Sequence, residues 1–326
     1  MFNGEIVLVM GPPACGKTTY SKSLVEQGYC RLNRDSLGGS LGMAGAPIYQ
    51  SLREKYGEGH RKFVLDNTFG TKESRMAAVA IAKELGLPIR VIWLNADLGQ
   101  VQFLASLRQV RHYGRLLTPD DYKDPAVKGN PSMFPPAAQF AYFKRFEPPT
   151  TDEGFDSVER VDVEIKLGPE YTAKAVIFDL DGTLRGTRSG EIYPRHPADV
   201  KILPGRKSRL ADLKAQGYLL LGATNQSGTS RPANDYRYVS ESTVIECIEE
   251  TLEQLGQPDM DVAYAPERAG VPQSFWRKPC PGMGVVFLER YRLDPSKVIV
   301  VGDMQTDQTF AERCGFQYED ADKFFG

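Results

Sequence analysis

The apolar run IVLVM (residues 6–10) passes directly into GPPACGKTT (11–19), and this junction constrains the fold more than any other stretch. Five consecutive apolar residues suit a strand buried on both faces, as in a parallel sheet covered by helices. Gly11, Gly16, Lys17 and Thr18 then fit G-x-x-x-x-G-K-[ST], a loop whose backbone N–H groups wrap the phosphates of a nucleotide at a helix N-terminus. Lys17 is expected to reach the β/γ oxygens and Thr18 to hold Mg²⁺, with Thr19 beside them in the nucleotide-binding set. The motif implies ATP or another nucleoside triphosphate and leaves the acceptor open.

Strand-like and helical segments continue to alternate: KFVLDNT (62–68), a helix over ESRMAAVAIAKEL (73–85) stopped by Gly86 and Pro88, then IRVIWL (89–94). Between Lys128 and Tyr171 the composition shifts to NPSMFPP, EPPTTDEG and LGPEY around one strand-like run, VERVDVEIKL. A second alternation begins at AVIFDL (175–180) and continues through YLLLGAT (218–224), a helical stretch (241–255) and VIVVGD (298–303). The expected architecture is α/β with two domains, residues 1–168 and 169–326, each built on a parallel sheet.

The acceptor side of the first site must come from RLNRDSLGG (31–39). Asp35 lies 18 residues past Lys17, at the end of the next strand–helix unit. A carboxylate there can take the proton of an attacking hydroxyl, while Arg34 or Arg31 meets an acceptor phosphate. Asp66, ending the strand in VLDNTF, can assist Mg²⁺ or the acceptor; the bland alternatives are a helix cap for Asp35 and an Asx turn for Asp66. Farther on, Arg108, Arg111 and Arg115 share one face of a helix in DLGQVQFLASLRQVRHYGR (97–115), which suits either a lid over the transferring phosphoryl group or a solvated basic face.

DLDGT (179–183) resembles the first motif of the haloacid-dehalogenase-like phosphatases. The resemblance implies a Rossmann-like domain in which Asp179 attacks phosphorus and Asp181 protonates the leaving oxygen, then activates water. Thr224, ending a strand in ATNQSG, would donate to the phosphate; Lys278 in RKPCPGM would neutralise charge in the transition state. In GDMQTD, Asp303 is favoured over Asp307 as a Mg²⁺ ligand, together with Asp179, Asp181 and the Leu180 carbonyl. Only about 40 residues separate Asp179 from Thr224, which leaves no room for a large cap. The stretch 263–279 also lacks the Cys/His zinc ligands seen in many small-molecule phosphatases of this group.

The runs NRDSLG, LDNTF and QFAYFKRFEPPTTDEGF (139–155) resemble the kinase module of polynucleotide 5′-kinase/3′-phosphatases. That resemblance implies Asp35 as general base for a 5′-hydroxyl and Arg108 or Arg111 as the lid arginine. The implied substrates are RNA or DNA strand ends, healed to 5′-phosphate and 3′-hydroxyl for a separate ligase. A small-metabolite kinase fused to a metabolite phosphatase is the second expectation, and a non-catalytic nucleotide-binding scaffold the third. A net charge of −2 means that a polyanion must be met by a local patch. Five scattered cysteines without a C-x-x-C, no long apolar span and no basic leader suit a reducing cytoplasm with no membrane partner.

Overall fold

Ile6, Val7, Leu8, Val9 and Met10 are all fully buried, because β1 (Glu5–Met10) is the central strand of a sheet covered on both faces. In the computed structural model, which describes residues 4–270 and 272–326, this all-parallel sheet has the order β2-β3-β1-β4-β5. The other strands are β2 (Cys30–Leu32), β3 (Lys62–Asp66), β4 (Ile89–Asn95) and β5 (Ser157–Asp162). Even side chains of β1 pack with Tyr49, Leu52, Ala78 and Ile81 from helices 47–57 and 72–85. Odd ones pack with Leu24 of helix 17–25 on the other face. The helix Lys72–Leu85 starts at a Thr71–Ser74 capping box and ends at Gly86 in the left-handed conformation, the stop expected from the sequence.

The strand-like run in the Pro-rich stretch is an integral strand: β5 pairs along its whole length with β4, from Arg90–Ser157 to Asn95–Asp162. Arg75 fixes the segment leading into it. Its buried guanidinium makes a two-pronged ion pair with Glu153 at 2.7 Å and donates to the Phe69 and Glu147 carbonyls.

A second parallel sheet has the order β10-β9-β6-β11-β12. Its strands are β6 (Ala173–Phe178), β9 (Leu219–Asn225), β10 (Asp261–Ala265), β11 (Leu293–Gly302) and β12 (Gln317–Asp320). A short antiparallel hairpin, β7 (Arg185–Thr187) with β8 (Val200–Ile202), and the helix Arg206–Ala215 are the elements between β6 and β9. Among the described residues there is thus no domain-sized cap in that interval.

Packing divides the chain into two units. The first takes residues up to 101, 130–134 and 138–165; the second takes 102–129, 135–137 and 166–326. A single cut at 168 therefore differs from the packing, since residues 102–129 go with the second unit. No helix among the described residues is long and apolar enough to cross a membrane.

Candidate active sites

In the first unit, the loop after β1 wraps back on itself. Gly11 adopts φ +150°, and a Cβ there would lie 2.5 Å from the Leu94 carbonyl oxygen, so only glycine permits the approach. Gly16, at φ +97°, opens the helix Lys17–Val25. Lys17 Nζ donates to the carbonyls of Gly11 (3.0 Å) and Pro12 (2.7 Å), which holds the ammonium at the loop. Thr18 and Thr19 are exposed in the first turn, with their hydroxyls available to a nucleotide-bound cation. The glycines, the lysine and the helix start together fit a bound triphosphate.

Asp35 sits on the one-turn helix Arg34–Leu37. Asn33 caps it, accepting from the Asp35 amide at 2.6 Å and donating to the Asp66 carbonyl at 2.7 Å. The Asp35 carboxylate stays exposed, with Arg34 at 3.8 Å as its ion-pair neighbour. A cavity of about 400 Å³ lies alongside, with Pro13 of the loop, Arg34, Thr68, Thr71, Tyr142 and Arg145 in its walls. Asp66 ends β3. It is buried, and Arg31 holds one of its oxygens with Nε at 2.9 Å and Nη2 at 2.5 Å. Adjacent strands β2 and β3 bring the two together, so each neutralises the other.

In the helix Leu98–Tyr113, Arg111 donates to Glu289 (3.1 Å) and Tyr171 (3.0 Å), and beyond the helix Arg115 pairs with Asp121. Arg108 lies one turn before Arg111 on the same helix.

The second site is built at the C-terminal ends of β6, β9 and β11. Asp179 follows β6 directly, and Lys278 Nζ donates to its Oδ1 at 2.7 Å and to the Ala223 carbonyl at 2.6 Å. Lys278 also lies 2.5 Å from Asp307 Oδ1. Thr224 is buried in β9. Asn225 fixes the Lys278 backbone from both sides, accepting from its amide (3.0 Å) and donating to its carbonyl (3.1 Å).

Oxygens of Asp179, Asp303 and Asp307 come within 4.8 Å of one another. Gly182, at φ +84°, makes room for this: a Cβ there would be 2.3 Å from Asp303 Oδ2. Asp307 Oδ1 is in ion-pair contact with the Lys278 ammonium, and its Oδ2 accepts from the Met304 amide at 3.1 Å. Three carboxylates converging on one point, with a single ammonium to balance them, fit a hard divalent cation such as Mg²⁺. Burial raises the Asp179 carboxyl to about 7; Lys278 pulls against this, but one ammonium cannot neutralise both Asp179 and Asp307.

Two of the expected metal ligands carry hydrogen bonds of their own. Asp181 does not join the cluster, because Arg185 Nε donates to its Oδ1 and Gln226 Nε2 to its Oδ2, each at 2.8 Å. The Leu180 carbonyl instead accepts the amides of Thr183, Leu184 and Arg185, which close the turn. Asp307 takes the place beside Asp303. Sequence reading missed Arg185 and Gln226. Arg185 is buried and anchored to Cys247 O and Thr251 Oγ1 (both 2.8 Å), and Gln226 bridges Asp181 to Thr224 Oγ1 at 3.0 Å. An arginine two residues past DGT and a glutamine two past the threonine are the only signals either position offered.

Two strand-ended phosphate sites of this kind define a P-loop kinase domain joined to a haloacid-dehalogenase-like phosphatase domain. Residues 6–109 match the family model described as AAA domain, and residues 174–326 match the one described as Polynucleotide kinase 3 phosphatase. The second half of the chain thus carries a polynucleotide kinase 3 phosphatase domain. A bifunctional polynucleotide phosphatase/kinase of Schizosaccharomyces pombe is 34% identical over 48% of this chain, which spans only 33% of that protein. A D-glycero-beta-D-manno-heptose-1,7-bisphosphate 7-phosphatase of Haemophilus influenzae is 30% identical over 41% of this chain and 73% of its own length. One chain of a solved Pnkp1/Rnl/Hen1 RNA repair complex aligns over 97% of this chain and 95% of its own at 17% identity, with a TM-score of 0.31, too loose a likeness to carry an argument.

Proposed function

We propose that this protein heals nucleic-acid ends, phosphorylating 5′-hydroxyls with ATP in its first domain and removing 3′-phosphates in its second. The observation that carries the reading is the joining of these two phosphate chemistries in a chain whose phosphatase half matches the polynucleotide kinase 3 phosphatase family. Adding and removing phosphate at one position would only hydrolyse ATP. Acting on opposite ends, the two activities yield the 5′-phosphate and 3′-hydroxyl that a separate ligase joins.

In the kinase, Asp35 takes the proton of the 5′-hydroxyl as that oxygen bonds to the γ-phosphorus and the bond from phosphorus to the β–γ bridging oxygen breaks, so that ADP leaves; Lys17 neutralises the phosphates, Arg34 meets an acceptor phosphate, and Arg108 or Arg111 closes as the lid. Thr18 would hold the nucleotide's Mg²⁺. In the phosphatase, Asp179 bonds to phosphorus as the bond to the 3′-oxygen breaks. Asp181 gives that oxygen its proton and then takes one from the water that releases phosphate. Lys278 and Thr224 hold the phosphoryl oxygens. A Mg²⁺ bound by Asp179, Asp303 and Asp307 would supply charge neutralisation. Five free cysteines suit a reducing cytoplasm.

Incubation with ATP, Mg²⁺ and an oligonucleotide bearing 5′-hydroxyl and 3′-phosphate, as RNA and as DNA, tests the reading by mass spectrometry of both ends. Gain at one end with loss at the other supports it. The likeness to heptose bisphosphate phosphatases favours a metabolite substrate as the second reading, and activity on sugar phosphates with both oligonucleotides unchanged would select that reading instead.

A further inference from the structure

Two loops lead out of the phosphatase site and meet on the surface. Residues 188–196 follow β7, whose Arg185 holds Asp181, and residues 228–239 follow Gln226, which holds the same carboxylate. The second loop is compact, closed on itself by Arg231 N to Gly228 O (3.2 Å) and Val239 N to Gly228 O (3.4 Å). Each grips the other: Tyr193 Oη donates to the Arg237 carbonyl at 3.1 Å, and the Arg195 guanidinium donates to the Tyr236 carbonyl.

The joined loops expose apolar and aromatic surface that the fold does not use. Ile192 is 85% exposed, Tyr236 75% and Tyr238 37%. Cations sit against the rings, with Arg237 5.2 Å from the centre of Tyr236 and Arg195 5.8 Å from that of Tyr193. These two segments carry Arg188, Arg195, Arg231 and Arg237 against Glu191 and Asp235, a local positive excess in a chain of net charge −2. Asp235 pairs with both Arg231 and Arg237, which pins the Arg237 guanidinium against the exposed Tyr236 ring.

We infer that these loops form a platform for the unpaired strand leading to the 3′-phosphate, with a base stacked on Tyr236 and the backbone drawn by Arg195 and Arg237. Rings with adjacent guanidinium groups are the surface that single-stranded nucleic acid fits, because every base has a face to stack and every linkage a charge. The inference rests on the 3′-phosphatase reading and adds to it where the strand runs.

The test is steady-state dephosphorylation of 3′-phosphorylated substrates from a mononucleotide to a hexanucleotide, with p-nitrophenyl phosphate as the reference ester. Wild type should show KM falling as the strand lengthens. Tyr236→Ala should erase that gain, with KM for the hexanucleotide rising about tenfold, equivalent to about 1.4 kcal/mol. Tyr236→Phe keeps the ring and should keep the gain, while Arg237→Ala should flatten the dependence of KM on salt. Should Tyr236→Ala lower every rate in proportion, the loop has distorted the site, and a hexanucleotide gain lost in Tyr236→Phe as well would overturn the stacking role. A length dependence unchanged in Tyr236→Ala would overturn the platform alone. Wild type active on p-nitrophenyl phosphate but on no nucleotide would overturn the 3′-phosphatase reading with it.

Discussion

Replacing Asp307 with Asn should leave the metal-free protein almost as stable as before and yet remove most of its stabilisation by Mg²⁺. Asp307 Oδ1 lies 2.5 Å from the Lys278 ammonium, an attraction of about 7 kcal/mol at an effective dielectric constant of about 20. Against it, above pH about 7 where Asp179 is ionised as well as Asp303, stand two carboxylates at no more than 4.8 Å, each repelling by about 3.5 kcal/mol or more on the same scale. Attraction and repulsion nearly cancel, so their joint loss should shift stability by no more than about 2 kcal/mol. The turn survives, because an Asn oxygen can still accept from the Met304 amide as Asp307 does at 3.1 Å.

Metal binding has no such cancellation. At a Mg²⁺ concentration of about 100 times the wild-type Kd, binding stabilises the native state by about 2.7 kcal/mol. A ligand loss that weakens binding about 100-fold leaves only about 0.4 kcal/mol at the same concentration. Urea unfolding of both proteins with and without Mg²⁺, in the absence of nucleotide so that the P-loop contributes nothing, reads this difference directly. An Asp307→Asn protein stabilised by Mg²⁺ as strongly as wild type would refute the three-carboxylate site.

Other consequences are open to simpler tests. The raised Asp179 carboxyl means that the metal-free native state keeps a proton the unfolded chain releases, so stability should fall as pH rises from about 4 to about 7, an effect that Mg²⁺ should suppress; a urea midpoint flat across that window argues against it. Arg75→Ala strands the buried Glu153 carboxylate and should cost the first unit about 3–5 kcal/mol, followed as kinase activity against urea; a cost under about 1 kcal/mol would show that the pair is not structural. Arg108→Ala should lower the phosphoryl-transfer rate more than nucleotide affinity, and equal losses in pre-steady-state and binding assays would remove it from the lid.

The parts of the sites carried within one short segment were readable from sequence. Gly11 to Thr18 and Asp179 to Asp181 are short continuous motifs, and Thr224 stands near the end of β9, whereas Lys278 lies in a turn ahead of the helix Gly282–Tyr291. What could not be read depends on which strands lie side by side. Asp66 is turned to Arg31 by the β2–β3 pairing, and Asp181 is clasped by a glutamine just past the end of β9 and an arginine anchored on the helix Glu241–Leu255. Both aspartates of GDMQTD were visible, but their joint approach to Asp179 follows from the start of the helix Gln305–Cys314. VERVDVEIKL was readable as a strand-like run, but its side chains are largely exposed, as suits a sheet edge, and only its partner β4 assigns it to the first sheet.

The central claim is that two independent sites treat opposite ends of one strand. Lys17→Ala and Asp179→Asn, each given ATP, Mg²⁺ and the same oligonucleotide with 5′-hydroxyl and 3′-phosphate, test it most directly by the masses of the products. The account predicts hydroxyls at both ends from Lys17→Ala and phosphates at both ends from Asp179→Asn; a single substitution that abolishes both reactions would contradict it.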